Sequence, residues 1–345
     1  MSDEHPRNSP VVSPATLHEQ VQAAVGETIV GQTAVVRQLT IALLAGGHVL
    51  LEGPAGVAKT TIAGRVATAA GLPTNRVQLT PDVLPADITG TQIYDQQAGN
   101  FEFRRGPIFS HVIIADEINR AMPKAQAALL EAMEEGRVST DGETYTLPSP
   151  FFMIATRNPL EMAGTYQLPD SQLDRFMFHI TVSTPTGTDA LQEILTTAGQ
   201  RNSADESRRE GSSNPGLSPQ AVRSARRLID AVHVSPPIRQ YVVEIHRALE
   251  TDGRVSNTPS PRALIELQRA AKVNAALEQR TYVLPEDVSE VAVDGLCHRI
   301  AIDQAQPGDI AAARSVLDET LEVTGAPAAP STSPADSRPA TDGGR

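Results

Sequence analysis

The segment Gly53-Pro54-Ala55-Gly56-Val57-Ala58-Lys59-Thr60 places two glycines, a lysine and a hydroxyl between an apolar run ending at Glu52 and a helix-forming stretch. Backbone N–H groups in such a loop can wrap the β- and γ-phosphates of a nucleotide, while the lysine neutralises charge and the Thr60 hydroxyl holds Mg²⁺. Thr61 completes the expected nucleotide-contacting set. The strict pattern is G-x-x-x-x-G-K-[ST], and Ala58 stands at its second glycine. A methyl group there costs about 1–2 kcal/mol if the position needs positive φ. Read alone, this match also fits an ordinary Gly-rich turn.

A second signal narrows the choice. Val112-Ile113-Ile114-Ala115-Asp116-Glu117 is an apolar strand ending in adjacent carboxylates. Asp116 can serve Mg²⁺, mainly through its water, which leaves Glu117 free as the base that polarises an attacking water. An isolated Asp-Glu pair is often just a solvated strand end, but downstream of a phosphate loop it reads as the acidic half of a nucleoside triphosphatase. Phe151–Pro159 is a further buried strand with a polar end, where Asn158 can orient the nucleophile or touch the γ-phosphate. By itself Asn-Pro is a turn signal. Two arginines, Arg175 in Gln172-Leu173-Asp174-Arg175-Phe176 and Arg262 in the first turn of a helix, can supply charge to the transition state. Lone arginines usually make surface ion pairs, yet a hydrolase of this kind needs such a charge, worth roughly 10³–10⁵ in rate.

The elements that position these residues alternate helix and strand up to about Thr184. Leu17, Val21 and Val25 stripe one helix that stops near Gly26, and a second covers about Gln32–Ala45. His48–Leu51, Val77–Leu79, Val112–Ile114 and Phe151–Ala155 are short apolar runs of the kind buried in a parallel sheet. Helices follow Lys59 and span Pro123–Glu135, giving an α/β sandwich. Thr91–Gly106 and Glu135–Pro148 read as hairpins, either plain surface turns or protrusions toward a partner. His48 and His111 read as strand-edge residues. Beyond Thr184 the pattern is helical: Ile238, Tyr241, Val242, Ile245 and Leu249 mark one helix, Ser260-Pro261 caps the next, and another starts near Pro285. The expected organisation is a tail over 1–15, an α/β core over 16–184, a small all-α lid over 185–323 with a flexible insertion over 199–216, and a second tail over 324–345.

Composition sets the boundaries. With 345 residues, 40% of them apolar and 20% charged, the chain has a globular make-up and room for two domains. The N-terminus lacks a secretory pattern and the longest apolar stretch, Ile41–Leu51, is too short to span a bilayer, so the expected location is the cytoplasm. The single cysteine, Cys297, excludes an internal disulfide and is read as excluding a thiolate metal site. A net charge of −12 and 3% aromatic residues argue against nucleic acid as the substrate. Only Lys59, Lys124 and Lys272 are lysines among 29 basic residues, so the rare compact ammonium sits where the loop chemistry calls for one.

From about Val30 to Val288 the chain resembles the MoxR family of AAA+ ATPases. The likeness is carried by GQTAVVRQLTIALLAGGHVLLEGPAGVAKT, RVQLTPDVLPADITGTQIYD, GPIFSHVIIADEINRAMPKAQAALLEAMEEGRV, ATRNPLEMAGTYQLPDSQLDRF and SPRALIELQRAAKVNAAL followed by RTYVLPEDV. Alanine at position 58 is common in that family, whereas Arg157 stands where it usually has glutamine. The resemblance implies that Asn158 is sensor 1, Arg175 the arginine finger and Arg262 sensor 2, with Ile29–Gln32 bordering the adenine. The two hairpins look like the family's helix-2 and pre-sensor-1 insertions. It further implies a homo-oligomeric ring, a hexamer by family habit, in which Arg175 completes a neighbour's site. The ring would use ATP and Mg²⁺ to remodel, mature or activate a client, frequently a protein with a von Willebrand factor A domain. Two other classes stay open at this point: a nucleotide-gated binding module with incidental turnover, and a nucleic-acid motor.

Overall fold

The computed structural model describes residues 12–97, 99–140, 142–159, 164–185, 187–188, 191–192, 194–196, 217–303 and 309–327. The insertion expected over 199–216 and most of both expected tails lie outside these. In chain order come α1 (Pro14–Gly26), α2 (Thr33–Ala45), β1 (Val49–Glu52), α3 (Lys59–Ala69), β2 (Thr74–Gln78) and α4 (Pro85–Thr89). The hairpin β3 (Gly90–Asp95) and β4 (Asn100–Arg105), then β5 (Val112–Asp116) and α5 (Pro123–Glu135) follow. A second hairpin, β6 (Arg137–Thr140) and β7 (Glu143–Thr146), leads to β8 (Phe152–Arg157), α6 (Asp170–Leu173) and β9 (Phe178–Thr181). The rest is α7 (Pro219–Asp230), α8 (Pro236–Thr251), β10 (Val255–Asn257), α9 (Pro261–Leu277), α10 (Pro285–Leu296), β11 (Ala301–Ile302) and α11 (Ile310–Thr324).

Local sequence explains most of these boundaries. Helices α1, α7, α8 and α9 all open on Ser-Pro, the proline presetting φ where no N–H is needed. At Ser13, Ser218 and Ser260 the hydroxyl also accepts a first-turn N–H. Gly46 and Gly136 close α2 and α5 in the left-handed conformation.

Five parallel strands form one sheet in the order β2-β5-β8-β1-β9. Strict alternation along the central strands sends neighbouring side chains to opposite faces. Val49, Leu51, Val112, Ile114, Phe152 and Ile154 join one buried cluster, while Leu50, Ile113, Ala115, Met153 and Ala155 join the other. The first cluster runs on through α1–α3 into the helices beyond residue 217, including Ile245, Leu267, Val291 and Leu317. One continuous core therefore ties the lid to the sheet. The second cluster lies under α4 and α5, with Ile88, Leu129 and Leu130.

Two sheet details differ from the sequence reading. β2 begins at Thr74 rather than Val77, because it is an edge strand whose polar Asn75 and Arg76 stay exposed and interrupt no apolar face. The fifth strand, β9, follows directly on Met177 and is not among the apolar runs read as strands from the sequence. The two hairpins meet: Phe103 of the first stacks on Tyr145 of the second at 3.9 Å between ring centres. At the far end of the first hairpin Tyr94 and Phe101 form an exposed aromatic pair. No helix among the described residues is long and apolar enough to cross a membrane.

Candidate nucleotide site

The loop from Gly53 to Ala58 leaves the carboxyl end of β1 and runs into α3. Gly53 has no room for a side chain, since a Cβ would lie 2.2 Å from the Val182 carbonyl oxygen. Gly56 and Ala58 both take positive φ, 85° and 63°. Ala58 thus adopts the left-handed geometry that the glycine of the strict pattern provides, and it bears the methyl cost anticipated from the sequence. Helix α3, like α2, α5 and α8, opens with no side-chain cap, so no capping side chain occupies its first-turn N–H groups where the loop meets it. Lys59 Nζ donates to the carbonyls of Gly53 (2.6 Å) and Pro54 (2.7 Å), folding its charge over the loop.

Asp116 ends β5 beside this loop. Thr60 Oγ1 donates to its Oδ1 at 2.7 Å, Thr156 Oγ1 donates to the same oxygen at 3.0 Å, and Arg76 Nε donates to Oδ2 at 2.6 Å. The hydroxyl and carboxylate assigned to Mg²⁺ are thus already adjacent, and hard oxygen donors of this kind fit that ion. Glu117 departs from the strand with φ 57°, which turns its carboxylate out of the sheet. Its N–H is anchored on Thr156 Oγ1 at 3.0 Å, and its Oε2 accepts from Gln78 Nε2 (3.1 Å) and Arg120 Nη1 (2.9 Å). Asn158 is buried at the end of β8, next to Arg157, whose carbonyl accepts the Gly53 N–H at 3.3 Å. The parallel register Glu52↔Arg157 explains this meeting.

Arg157, the departure from the family pattern, makes a part-buried ion pair. Its Nε reaches Glu52 Oε2 at 2.6 Å, and His179 Nε2 donates to that same oxygen at 2.6 Å. Burial works to raise the Glu52 pKa, but the His179 hydrogen bond and the Arg157 guanidinium outweigh it and hold the carboxyl at about 2. The residue directly before the phosphate loop is therefore a fixed anion.

Arg175 and Arg262 are elsewhere. Both point to Glu134 near the end of α5, at 3.1 Å and 2.9 Å. The adjacent Met133 carbonyl accepts from His48 Nε2 at 3.1 Å. His48 is not a plain strand-edge residue but a buried bridge, with Nδ1 accepting the Met153 N–H at 3.0 Å. It marks the amino end of β1, whereas the phosphate loop leaves the carboxyl end. Those ends are four residues apart, about 13 Å at ~3.3 Å per residue, more than an arginine side chain spans. The structure therefore gathers Lys59, Thr60, Asp116, Glu117 and Asn158, and separately gathers Arg175 with Arg262. Sequence reasoning missed Arg76, Gln78, Thr156, Arg120 and Glu134. Of these only Thr156, one strand over at the same level as Asp116, carried a positional hint.

Comparisons with known proteins match both the sheet-bearing part of the chain and its helical part. The family model for ATPases associated with various cellular activities (AAA) matches residues 48–178, and the AAA lid domain model matches residues 247–320. The chain is 38% identical over 305 residues to Chaperone MoxR1 of Mycobacterium tuberculosis, covering 87% of this chain and 79% of that protein. It is 32% identical over 330 residues to Protein MoxR of Paracoccus denitrificans, covering 89% and 96%. The crystal structure of a suspected ATPase from Cytophaga hutchinsonii superposes with a TM-score of 0.77 at 36% identity, covering 91% of this chain and 96% of that one.

Proposed function

Because the chain belongs to the MoxR family of AAA+ ATPases, we propose that it hydrolyses ATP in a homo-oligomeric ring, a hexamer by family habit. Turnover would remodel, mature or activate a partner protein. The observation that carries this reading is the separation of the catalytic groups. Loop, acidic pair and Asn158 occupy the carboxyl end of the sheet, while Arg175 and Arg262 meet on Glu134 at the other. Head-to-tail contact between copies brings the arginines of one protomer to the nucleotide of the next, and such heterologous contacts form a ring where the rotation between copies closes. The proposed division is an ATPase core over 16–184 and a helical lid over 185–323.

In the proposed reaction Glu117 takes a proton from a water that Asn158 orients. The water oxygen bonds to the γ-phosphorus as the bond to the β–γ bridging oxygen breaks. Lys59 and a neighbour's Arg175 offset the charge on the transferring phosphoryl group. Thr60 and Asp116 would hold Mg²⁺, which would add to the neutralisation of the triphosphate. Arg262, opening a lid helix, links the state of the γ-phosphate to lid position. The exposed Tyr94–Phe101 tip suits contact with a protein client, and the chaperone name of the mycobacterial relative supports that role. A client with a von Willebrand factor A domain and a cytoplasmic setting complete the proposal.

Glu117→Gln is expected to bind ATP and to lose turnover by at least about 10²-fold, the contribution of a general base. Undiminished hydrolysis would remove Glu117 from its role. Inactive Arg175→Ala and inactive Lys59→Ala chains should recover activity when mixed, because one supplies an intact loop and the other an intact arginine. Absence of recovery would rule out the shared site.

A further inference from the structure

His179 lies in the middle of β9, and Cys297 and His298 directly follow α10, 118 residues further on in the case of the cysteine. The fold brings one donor atom from each to within 4.8 Å of the others, and all three side chains are buried. Both imidazoles are locked in the same tautomer. His179 Nε2 donates to the Glu52 carboxylate at 2.6 Å, and His298 Nε2 donates to the Phe176 carbonyl at 2.8 Å. Each ring therefore presents Nδ1 as a lone pair, and neither Nδ1 has a hydrogen-bond partner. A ligating histidine held through its other nitrogen by a carboxylate or a backbone carbonyl is the usual outer arrangement of a metal site. Two such rings beside a thiol are a candidate ligand set, a juxtaposition that the count of a single cysteine does not reveal.

We propose that His179, Cys297 and His298 bind one thiophilic cation, Zn²⁺ in the first instance, which pins the lid to the sheet strand beside the phosphate loop. Bonds of about 2.0–2.3 Å to zinc place ligands about 3.5 Å apart, so the trio must close by roughly 1 Å. Burial keeps both histidines neutral, the form that ligates, and pushes the free thiol up to about 12, so binding a cation would release its proton. The surrounding charges are already balanced. Arg157 is tied to Glu52, Arg314 to Asp294, and Arg299 to Glu266 and Asp174. Because His179 is hydrogen-bonded to Glu52, a cation here joins the lid through one imidazole to the residue preceding Gly53. Metal occupancy would stiffen this contact between lid and sheet.

The test uses the full chain, stripped with chelator and titrated with Co²⁺. The expected result is one equivalent bound with a thiolate-to-cobalt charge-transfer band, displaced by Zn²⁺. Co²⁺ at the oxygen ligands Thr60 and Asp116 gives no such band. Cys297→Ser should abolish the band, and Zn²⁺ should raise the Tm of the wild type but not of that variant. Circular dichroism of metal-free Cys297→Ser and Cys297→Ala establishes that they fold. If both unfold, His298→Gln in the wild-type cysteine background replaces them and must also weaken the band. No charge-transfer band in the wild type, or a band that survives in every variant, overturns the proposal.

Discussion

Replacing Arg76 with alanine is expected to make the site take Mg²⁺ more readily. In the structure the Arg76 guanidinium sits on Asp116 Oδ2 at 2.6 Å, while the other oxygen accepts from Thr60 and Thr156. An arginine there competes with the divalent ion for the carboxylate. The magnitude follows from exposure: the Asp116 side chain is 4% exposed but that of Arg76 is 60% exposed. Solvent screens such a half-exposed pair to about 0.2–1 kcal/mol, which corresponds to a shift of roughly 1.5- to 5-fold in the Mg²⁺ midpoint. The assay is a Mg²⁺ titration of a fluorescent nucleotide held at saturation, because loss of a nearby cation also weakens phosphate binding as such. The midpoint for Arg76→Ala should fall, and the difference from wild type should shrink in high salt as the ion pair is screened. An unchanged or raised midpoint would show that Arg76 does not hold Asp116 against the metal.

Two further expectations concern the backbone and charge around the loop. Ala58→Gly relieves a left-handed alanine at about 1–2 kcal/mol and adds back about 0.5–1 kcal/mol of chain entropy. It should therefore stabilise the chain slightly in urea unfolding, where alanine-to-glycine changes normally destabilise; a loss above 1 kcal/mol would contradict the assigned strain. Glu52 has a folded pKa of about 2 against an ordinary 4.5, so its contribution is fully present above pH 4.5 and lost as pH falls toward 2. That contribution is of order 3 kcal/mol. Glu52→Gln should be less stable at pH 7 and show a flatter loss of stability between pH 4.5 and 2. Parallel curves for the two proteins would exclude the fixed anion.

Much of the site was visible along the chain because its parts are local. A strand, a turn with glycines and a capless helix lie within a dozen residues, and strand-end carboxylates announce themselves by an apolar run stopping at Asp116-Glu117. The same holds for Ser-Pro helix starts and for hairpins around Gly99 and Gly142. Each is fixed by backbone preferences or by periodicity over a few residues, which residue types encode directly. The tertiary structure decided what depends on partners distant in sequence. The edge position of β2 left Arg76 exposed enough to reach Asp116, and the register of β1 against β8 and β9 put Arg157 and His179 on one carboxylate. Glu134 drew Arg175 and Arg262 together at the end of the sheet away from the loop, and the return of α10 onto β9 set Cys297 and His298 against His179. Such meetings arise from how continuous core burial packs helices over strands, and no spacing in a linear chain records which side chains that packing will bring face to face.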